Sequence, residues 1–309
     1  MKFWKNKKVL VVGGAGFIGS HTVDALLAYK AKIVVVDHLS ARKKYSRDVR
    51  AKYYNLDAAS SRLAHIFIKE KPEYVFMFAA LNNIPLSRER PSLDAASILG
   101  LLNVLENCVR YRAKKILYSS SGFIYGNTLK LPTPEGSPLS ADSPYNISKI
   151  ASENYLKFFH SYYSLPYVIL RYGTVYGPRQ TAGAIRGYIQ KIYRNERAEI
   201  YGGKSRDCIY VKDVAEANIA AMEQDVKNAE PIFNIATGKE IKLTAVYKII
   251  TRVLGRPDNH PILLPARAGE IDRFCLDVRK AKRVLGFSPR VSLERGLTET
   301  VQWFLKNQK

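Results

Sequence analysis

Cysteine is scarce: three residues in a chain of 309, Cys108, Cys208 and Cys275, stand far apart. Without a Cys-x-x-Cys pair there are too few ligands for a structural zinc site and no disulfide framework. A chain of this length buries about three quarters of its unfolded surface, so it needs neither staple. So little cysteine favours a reducing cytoplasm. Long apolar runs are also missing: none approaches the roughly 20 residues that cross a bilayer, so no transmembrane segment is expected. Acidic residues are few, 27 Asp+Glu against 49 Lys+Arg, for a net charge of +22. Such a field draws in polyanions and phosphorylated small molecules without choosing among them. The positive charges are spread along the chain, with short clusters at Lys5–Lys8 and Arg42–Lys52. No zinc-finger or RNA-recognition motif accompanies them, so no dedicated nucleic-acid site is expected.

What is present is ordinary for a globular chain, 47% hydrophobic and 25% charged. Lys5, Lys7 and Lys8 before Val9–Gly19 mimic a secretory leader, but the glycines inside that stretch and the strand–helix alternation after it favour mature sequence. Short apolar runs at Lys8–Val12, Lys32–Val36, Tyr74–Phe78, Lys115–Tyr118 and Tyr167–Leu170 have the look of buried strands. Amphipathic segments at Ile18–Ala28, Ser92–Arg110 and Tyr145–His160 lie between them. Continuous apolar strands alternating with helices imply a doubly wound α/β domain, its parallel sheet covered on both faces. After Gly177-Pro178 the rhythm changes to helices at Ile185–Arg194, Leu243–Leu254 and Leu293–Leu305 with isolated short strands. The expected division is a dinucleotide-binding domain, 1–171 plus about 206–238, and a smaller mixed α/β substrate domain, about 172–205 plus 239–309.

The run Gly13-Gly14-Ala15-Gly16-Phe17-Ile18-Gly19 sits where the first strand ends and the first helix begins. Glycines let backbone approach a pyrophosphate, whose charge then rests on the free N–H groups of that helix. Asp37 ends the second strand about 20 residues on, where a carboxylate can accept from both hydroxyls of an adenosine ribose. It would repel a 2′-phosphate and so favours NAD, although Arg42 and Lys43 just downstream offer a clamp for NADP. Tyr145 and Lys149 are spaced i and i+4 on one helix face, so the ammonium can lie near the phenol. A phenol with a lowered pKa can serve as general base on a sugar hydroxyl. Tyr111 and Lys115 share the interval, but that pair straddles the entry to a buried strand and reads as structural. Ser119-Ser120-Ser121 follows a strand, where a hydroxyl can reach a ligand or satisfy a turn.

Together these residues resemble the extended short-chain dehydrogenase/reductases, and within them the nucleotide-sugar epimerases and dehydratases. The resemblance spans nearly the whole chain. It is carried by Gly13–His21, Val36–Ser40, Ser119–Gly126, Ser143–Lys149, Leu170–Gln180, Ser205–Val214 and Phe233–Gly238. It implies that Tyr145 is the base, that Lys149 also grips the nicotinamide ribose, and that Ser121 hydrogen-bonds the reacting sugar oxygen. It implies an NAD site lined by Gly13, Gly16, Phe17, Ile18, Gly19, Asp37, His38, Asp57, Ala79, Ala80, Lys149 and Gly173. A nucleotide-diphosphate sugar would meet Ser121, Tyr145, Thr174, Arg206 and Arg267; the arginines suit the diphosphate. It also implies a homodimer, with Ser92–Arg110 and Tyr145–His160 as the matching helices.

The resemblance also narrows the branch. The family's 4,6-dehydratases carry an acidic residue where this chain has Gly122-Phe123-Ile124, and its decarboxylases usually carry Glu there. Neither the Cys nor the His usual in GDP-fucose-synthase-like enzymes is present. What remains is most similar to UDP-glucose 4-epimerases, implying epimerisation at C4 through a 4-keto sugar. Met77, Ser97, Phe123 and Gly173-Thr174 depart from the residues common in that branch (His, Asn, Thr and Phe-Asn). Phe274 aligns with a bulky residue that tends to exclude N-acetylated sugars, or is a plain core aromatic. Rival readings are a dehydratase with displaced acid, a 2-epimerase or a reductase, and a non-catalytic NAD-binding or RNA-associated scaffold.

Overall fold

The computed structural model describes residues 3–38, 48–80, 84–225, 230–266 and 271–307. The first half runs β1 (Lys8–Val12), α1 (Phe17–Ala28), β2 (Lys32–Asp37), β3 (Lys52–Asn55), α2 (Leu63–Glu70), β4 (Tyr74–Met77), α3 (Ile84–Glu89), α4 (Ser92–Arg110), β5 (Lys115–Ser121), α5 (Pro144–Tyr163) and β6 (Tyr167–Tyr172). There follow β7 (Thr174–Tyr176), α6 (Ala184–Tyr193), β8 (Glu199–Tyr201), β9 (Ser205–Arg206), β10 (Cys208–Tyr210), α7 (Val211–Glu223), β11 (Ile232–Ile235) and β12 (Ile241–Lys242). The chain ends on α8 (Leu243–Val253), β13 (Ile262–Leu264), α9 (Arg279–Leu285) and α10 (Leu293–Lys306).

Seven strands form one sheet in the order β11-β6-β5-β4-β1-β2-β3. The pairs β1–β2, β1–β4, β2–β3 and β4–β5 are all parallel. This is the doubly wound α/β architecture that the alternation of apolar strands and helices predicts. Leu10, Val12, Val34, Val36, Val75 and Ile116 pack on one face with Phe67 of α2 and Leu101, Val104 and Leu105 of α4. Val9, Val11, Val35 and Leu117, one position out of phase, are equally buried, so both faces are covered.

The chain divides into two compact units, 1–124 with 139–171 and 215–233, and 125–138 with 172–214 and 234–309. The division differs from the expected boundaries at 125–138, 206–214 and 234–238. In the first stretch, Thr133 N–H donates to the Cys275 carbonyl at 2.9 Å and the Thr133 carbonyl accepts from Asp277 N–H at 2.9 Å. In the second, β10 pairs in parallel with β7. Backbone hydrogen bonds between segments remote in sequence leave no periodicity to read.

Within the first unit, α5 is the most carefully started helix. Ser143 accepts from Asn146 N–H and Pro144 occupies the first turn, where its missing N–H costs nothing. Among the described residues one helix, α4, has the length and mean hydropathy of a bilayer span, although Asp94, Asn103, Glu106 and Asn107 interrupt its apolar residues. It packs on α5, and its Leu101, Val104, Leu105 and Cys108 are fully buried, so it is a core helix. Below α5 lies a buried ion pair. Arg171 of β6 donates to Glu153 of α5 through Nε at 3.0 Å and Nη2 at 2.7 Å, while Ser120 Oγ of β5 donates to the same carboxylate at 2.6 Å. Both partners are almost inaccessible to solvent, so each depends on the other for its polar satisfaction. Glu153→Ala, which strands the guanidinium, should lower the free energy of unfolding by about 3–5 kcal/mol. Urea denaturation followed by circular dichroism measures it; a loss below about 1 kcal/mol would show that the pair does not anchor α5.

Candidate functional site

In a parallel sheet all strands end on one edge, and ligands bind where the strand order reverses. Here it reverses between β1 and β4, each the first strand of an outward series. The register aligns Val12 with Val36 and Met77, and Met77 with Tyr118. The Gly-rich turn, Asp37, Ala79 and the serines ending β5 therefore share that edge.

The glycines of the turn are there for lack of space. Gly13 has φ +81°, and a Cβ on it would stand 2.5 Å from the Ala79 amide nitrogen. A Cβ on Gly19 would stand 2.3 Å from the Gly13 carbonyl oxygen, and one on Gly14 would meet Val35 at 2.8 Å. Gly16 caps α1 without a side-chain acceptor, which leaves the N–H groups of Phe17 and Ile18 for an anion. The buried Asp37 carboxylate accepts from Ala15 N–H at 2.9 Å, so it is braced by the Gly-rich turn itself. Phe17 lies edge-on to His21. His38 and Ala80 are exposed and Ala79 is half-buried. Asp57 is exposed and its Oδ1 accepts from Ala59 N–H at 2.8 Å, closing a turn after β3. A tight glycine turn, an uncapped helix start and a braced carboxylate fit a dinucleotide. Arg42 and Lys43 lie outside the described residues.

Ser121, Tyr145 and Lys149 come together in the first unit. Ser119–Ser121 belong to β5 itself rather than to the turn after it. The Ser121 hydroxyl hydrogen-bonds the Tyr145 phenol and accepts from Phe123 N–H at 3.2 Å. Lys149 Nζ donates to the Ser119 carbonyl at 2.7 Å and stands 4.8 Å from the ring centre of Tyr118 and 5.8 Å from that of Tyr145. The expected lowering of the phenol pKa by Lys149 is corrected here. Burial pushes Tyr145 above the usual phenol value, opposed by the Ser121 hydrogen bond and reinforced by the Asp94 charge. Burial likewise pulls Lys149 down to about 8, although the Glu153 and Asp94 charges hold it up. Low dielectric penalises both charged forms before any ligand neutralises them. The second i,i+4 pair is structural: Lys115 Nζ donates to the Ala221 carbonyl at 2.8 Å and the Gln224 carbonyl at 2.6 Å, capping the end of α7.

The other candidates belong to the second unit. A Cβ on Gly173 would stand 2.8 Å from the Asp207 carbonyl oxygen, so close packing accounts for glycine at this departure. Thr174 N–H donates to that carbonyl at 2.8 Å, and the buried Thr174 hydroxyl has no hydrogen-bond partner among the described residues. Arg206 is half-buried, and its Nη1 donates to the Ser205 carbonyl at 2.7 Å. The Asp207 carboxylate accepts from Thr237 N–H, Gly238 N–H and Leu276 N–H at 2.8, 2.9 and 3.2 Å, fixing the strand end beside Arg206. Phe274 is buried. Arg267 lies outside the described residues.

A family model described as the NAD dependent epimerase/dehydratase family matches residues 9–236. The chain belongs to this family. It is similar to a putative UDP-glucose 4-epimerase of Methanocaldococcus jannaschii, 37% identical over 97% of this chain and 99% of that protein. Among solved structures it is similar to the UDP-glucose 4-epimerase of Thermotoga maritima with UDP-glucose, with TM-score 0.92 and 38% identity over 97% of this chain and 99% of the other. It is also similar to a UDP-N-acetylglucosamine 4-epimerase of Methanobrevibacter ruminantium in complex with UDP-N-acetylmuramic acid, with TM-score 0.90 and 34% identity over 98% and 100% of the two chains.

Three departures from the residues common in the epimerase branch have local accounts. Met77 is buried in the core and only its carbonyl is used, accepting from Ser119 Oγ at 3.1 Å. Ser97 turns its hydroxyl back to the Leu93 carbonyl at 3.3 Å. Phe123 contributes backbone, its carbonyl accepting from Asn146 Nδ2 at 2.9 Å. Sequence reasoning missed Glu153, Arg171 and Asp94. The spacing Tyr145, Lys149, Glu153 continues one helix face, and Arg171 interrupts an apolar strand, so two of the three had a readable signal. Gly13→Ala should abolish NAD retention and cost about 1–2 kcal/mol of stability through its left-handed backbone. Gly136→Ala, whose Cβ meets nothing within 4 Å, serves as the neutral control in equilibrium dialysis with NAD. Equal NAD binding by both variants would contradict the close-approach argument.

Proposed function

We propose that the chain is an NAD-dependent epimerase of a nucleotide-diphosphate sugar, acting at C4 of a UDP-hexose. The observation that carries the reading is the buried Ser121–Tyr145–Lys149 cluster at the carboxyl edge of a sheet bearing a dinucleotide-type turn. When bound, oxidised nicotinamide supplies a hydride acceptor and a positive charge. Tyr145 takes the proton of the sugar 4-hydroxyl, Ser121 holds the same oxygen, and Lys149 stabilises the phenolate through the field of its ammonium. After the 4-keto sugar turns over its other face, Tyr145 returns the proton as hydride comes back. Asp37 reads the adenosine ribose, and the N–H groups at the start of α1 take the pyrophosphate. Thr174, Arg206 and Arg267 hold the sugar nucleotide.

Proton NMR with UDP-glucose, UDP-galactose, UDP-glucuronate and UDP-N-acetylglucosamine, plus TDP-, CDP- and GDP-hexoses, each with catalytic NAD, tests this. A new anomeric signal growing to a fixed ratio without net NADH is expected. Water loss or stoichiometric NADH would instead indicate a dehydratase or an oxidoreductase. Tyr145→Phe should lower turnover by roughly 10²–10⁴-fold with NAD still bound. Undiminished turnover would remove Tyr145 from its role. Phe274 supports preference for plain hexose or uronate over N-acetylhexosamine; comparable turnover of UDP-N-acetylglucosamine and UDP-glucose would sink that assignment.

The same reading includes a homodimer in the cytoplasm. Leu99 on α4 and Ile147, Phe158 and Tyr162 on α5 are large apolar side chains that are 60, 51, 49 and 71% exposed. The three on α5 fall on one face, which suits burial against a second copy. Light scattering should give twice the monomer mass, and Tyr162→Lys should weaken the association. A monomer at micromolar concentration would refute it. The cysteines are free, which agrees with a reducing compartment.

A further inference from the structure

Two buried carboxylates bear on Lys149, and only one of them is already occupied. Glu153 is engaged by Arg171 and Ser120. Asp94, in the first turn of α4, is 3% exposed. Its Oδ1 lies 3.4 Å from the Ser148 hydroxyl, which has the Tyr145 carbonyl as a nearer acceptor at 2.8 Å, and its Oδ2 is buried with no hydrogen-bond partner among the described residues. No cation pairs with it among the described residues. Leaving one carboxylate oxygen buried and unsatisfied costs free energy that packing alone would not select.

We propose that the Asp94 carboxylate is the counter-charge of the Tyr145–Lys149 pair, a positioning residue that keeps the ammonium protonated and the proton on the phenol until substrate arrives. The inference rests on the reading of Tyr145 as base. Its field acts on both groups in one sense, raising the pKa of Tyr145 and that of Lys149. The groups facing the pair are few. From β5 come Tyr118 and the Ser119 carbonyl, and from α5 itself Ser148 and Glu153. Arg88 and Glu89 on α3, Arg90 before α4, and His65 and Lys69 on α2, which packs against α4, are all exposed. Glu70 on α2 is tied to Lys52 at 2.5 Å. Among the described residues, Asp94 is therefore the buried carboxylate near the pair that no cation offsets.

Neutralising Asp94 must lower both pKa values together, because a negative charge disfavours phenolate and favours ammonium. Full-length protein labelled with ¹³Cζ-tyrosine, titrated by NMR from pH 6 to 11, reads the phenol directly; the resonance missing in Tyr145→Phe assigns it. Asp94→Asn should lower the Tyr145 midpoint by about one pH unit and move both limbs of the kcat/KM profile to lower pH. Asp94→Glu, which keeps the charge, should leave the midpoint in place, and Asp94→Ser is the second neutral variant should Asn fail to fold. A midpoint unmoved in folded, neutral variants overturns the proposal, since a merely structural role changes stability without moving a titration. Turnover surviving in Tyr145→Phe instead overturns the reading of the base and leaves the titration result standing.

Discussion

Parallel strands cannot be joined by tight turns, so long crossovers, usually helical, return the chain and every strand ends on the same edge. In this chain the constraint sets Val12, Val36, Met77 and Tyr118 side by side. The glycine turn, Asp37 and the serine triplet all lie at those strand ends. Asp37 is held by the backbone of the Gly-rich turn, and Ser119 links the ends of β4 and β5 through the Met77 carbonyl.

Helix α5 meets this edge through a second device. Its first two turns carry Tyr145 and Lys149, while one turn further on Glu153 is locked by Arg171 and Ser120. The ion pair fixes the helix against β5 and β6 and gives the Glu153 carboxylate its own cation. Asp94 has no such cation among the described residues, and both carboxylates raise Lys149. Desolvation, rather than the ammonium, dominates the Tyr145 phenol and holds it above its usual value.

The family relationship and the local geometry constrain different things. Family membership bounds the chemistry to NAD-dependent work on nucleotide sugars. Local packing explains departures that a motif comparison leaves as anomalies: Gly173 is small because the Asp207 carbonyl and Ala236 crowd it, and Met77 fills the core. In the second unit, Asp207 ties the 237–238 and 276 backbone beside Arg206.

Much of the first unit was legible in the sequence, because strands buried on both faces are continuous apolar runs and helix α4 begins and ends where its periodicity does. The cofactor turn was legible because glycines are demanded by backbone crowding, and Tyr145 with Lys149 because helical spacing is local. Short β3 and helices α2 and α3 were not, since four to eight residues hold too little periodicity. The unit boundaries at 125–138 and 206–214, the partner of Glu153 and the orientation of Lys149 toward the Ser119 carbonyl were decided by tertiary structure alone. Each depends on groups distant in sequence, and the sign of the Tyr145 shift depends on burial, a property no local pattern carries.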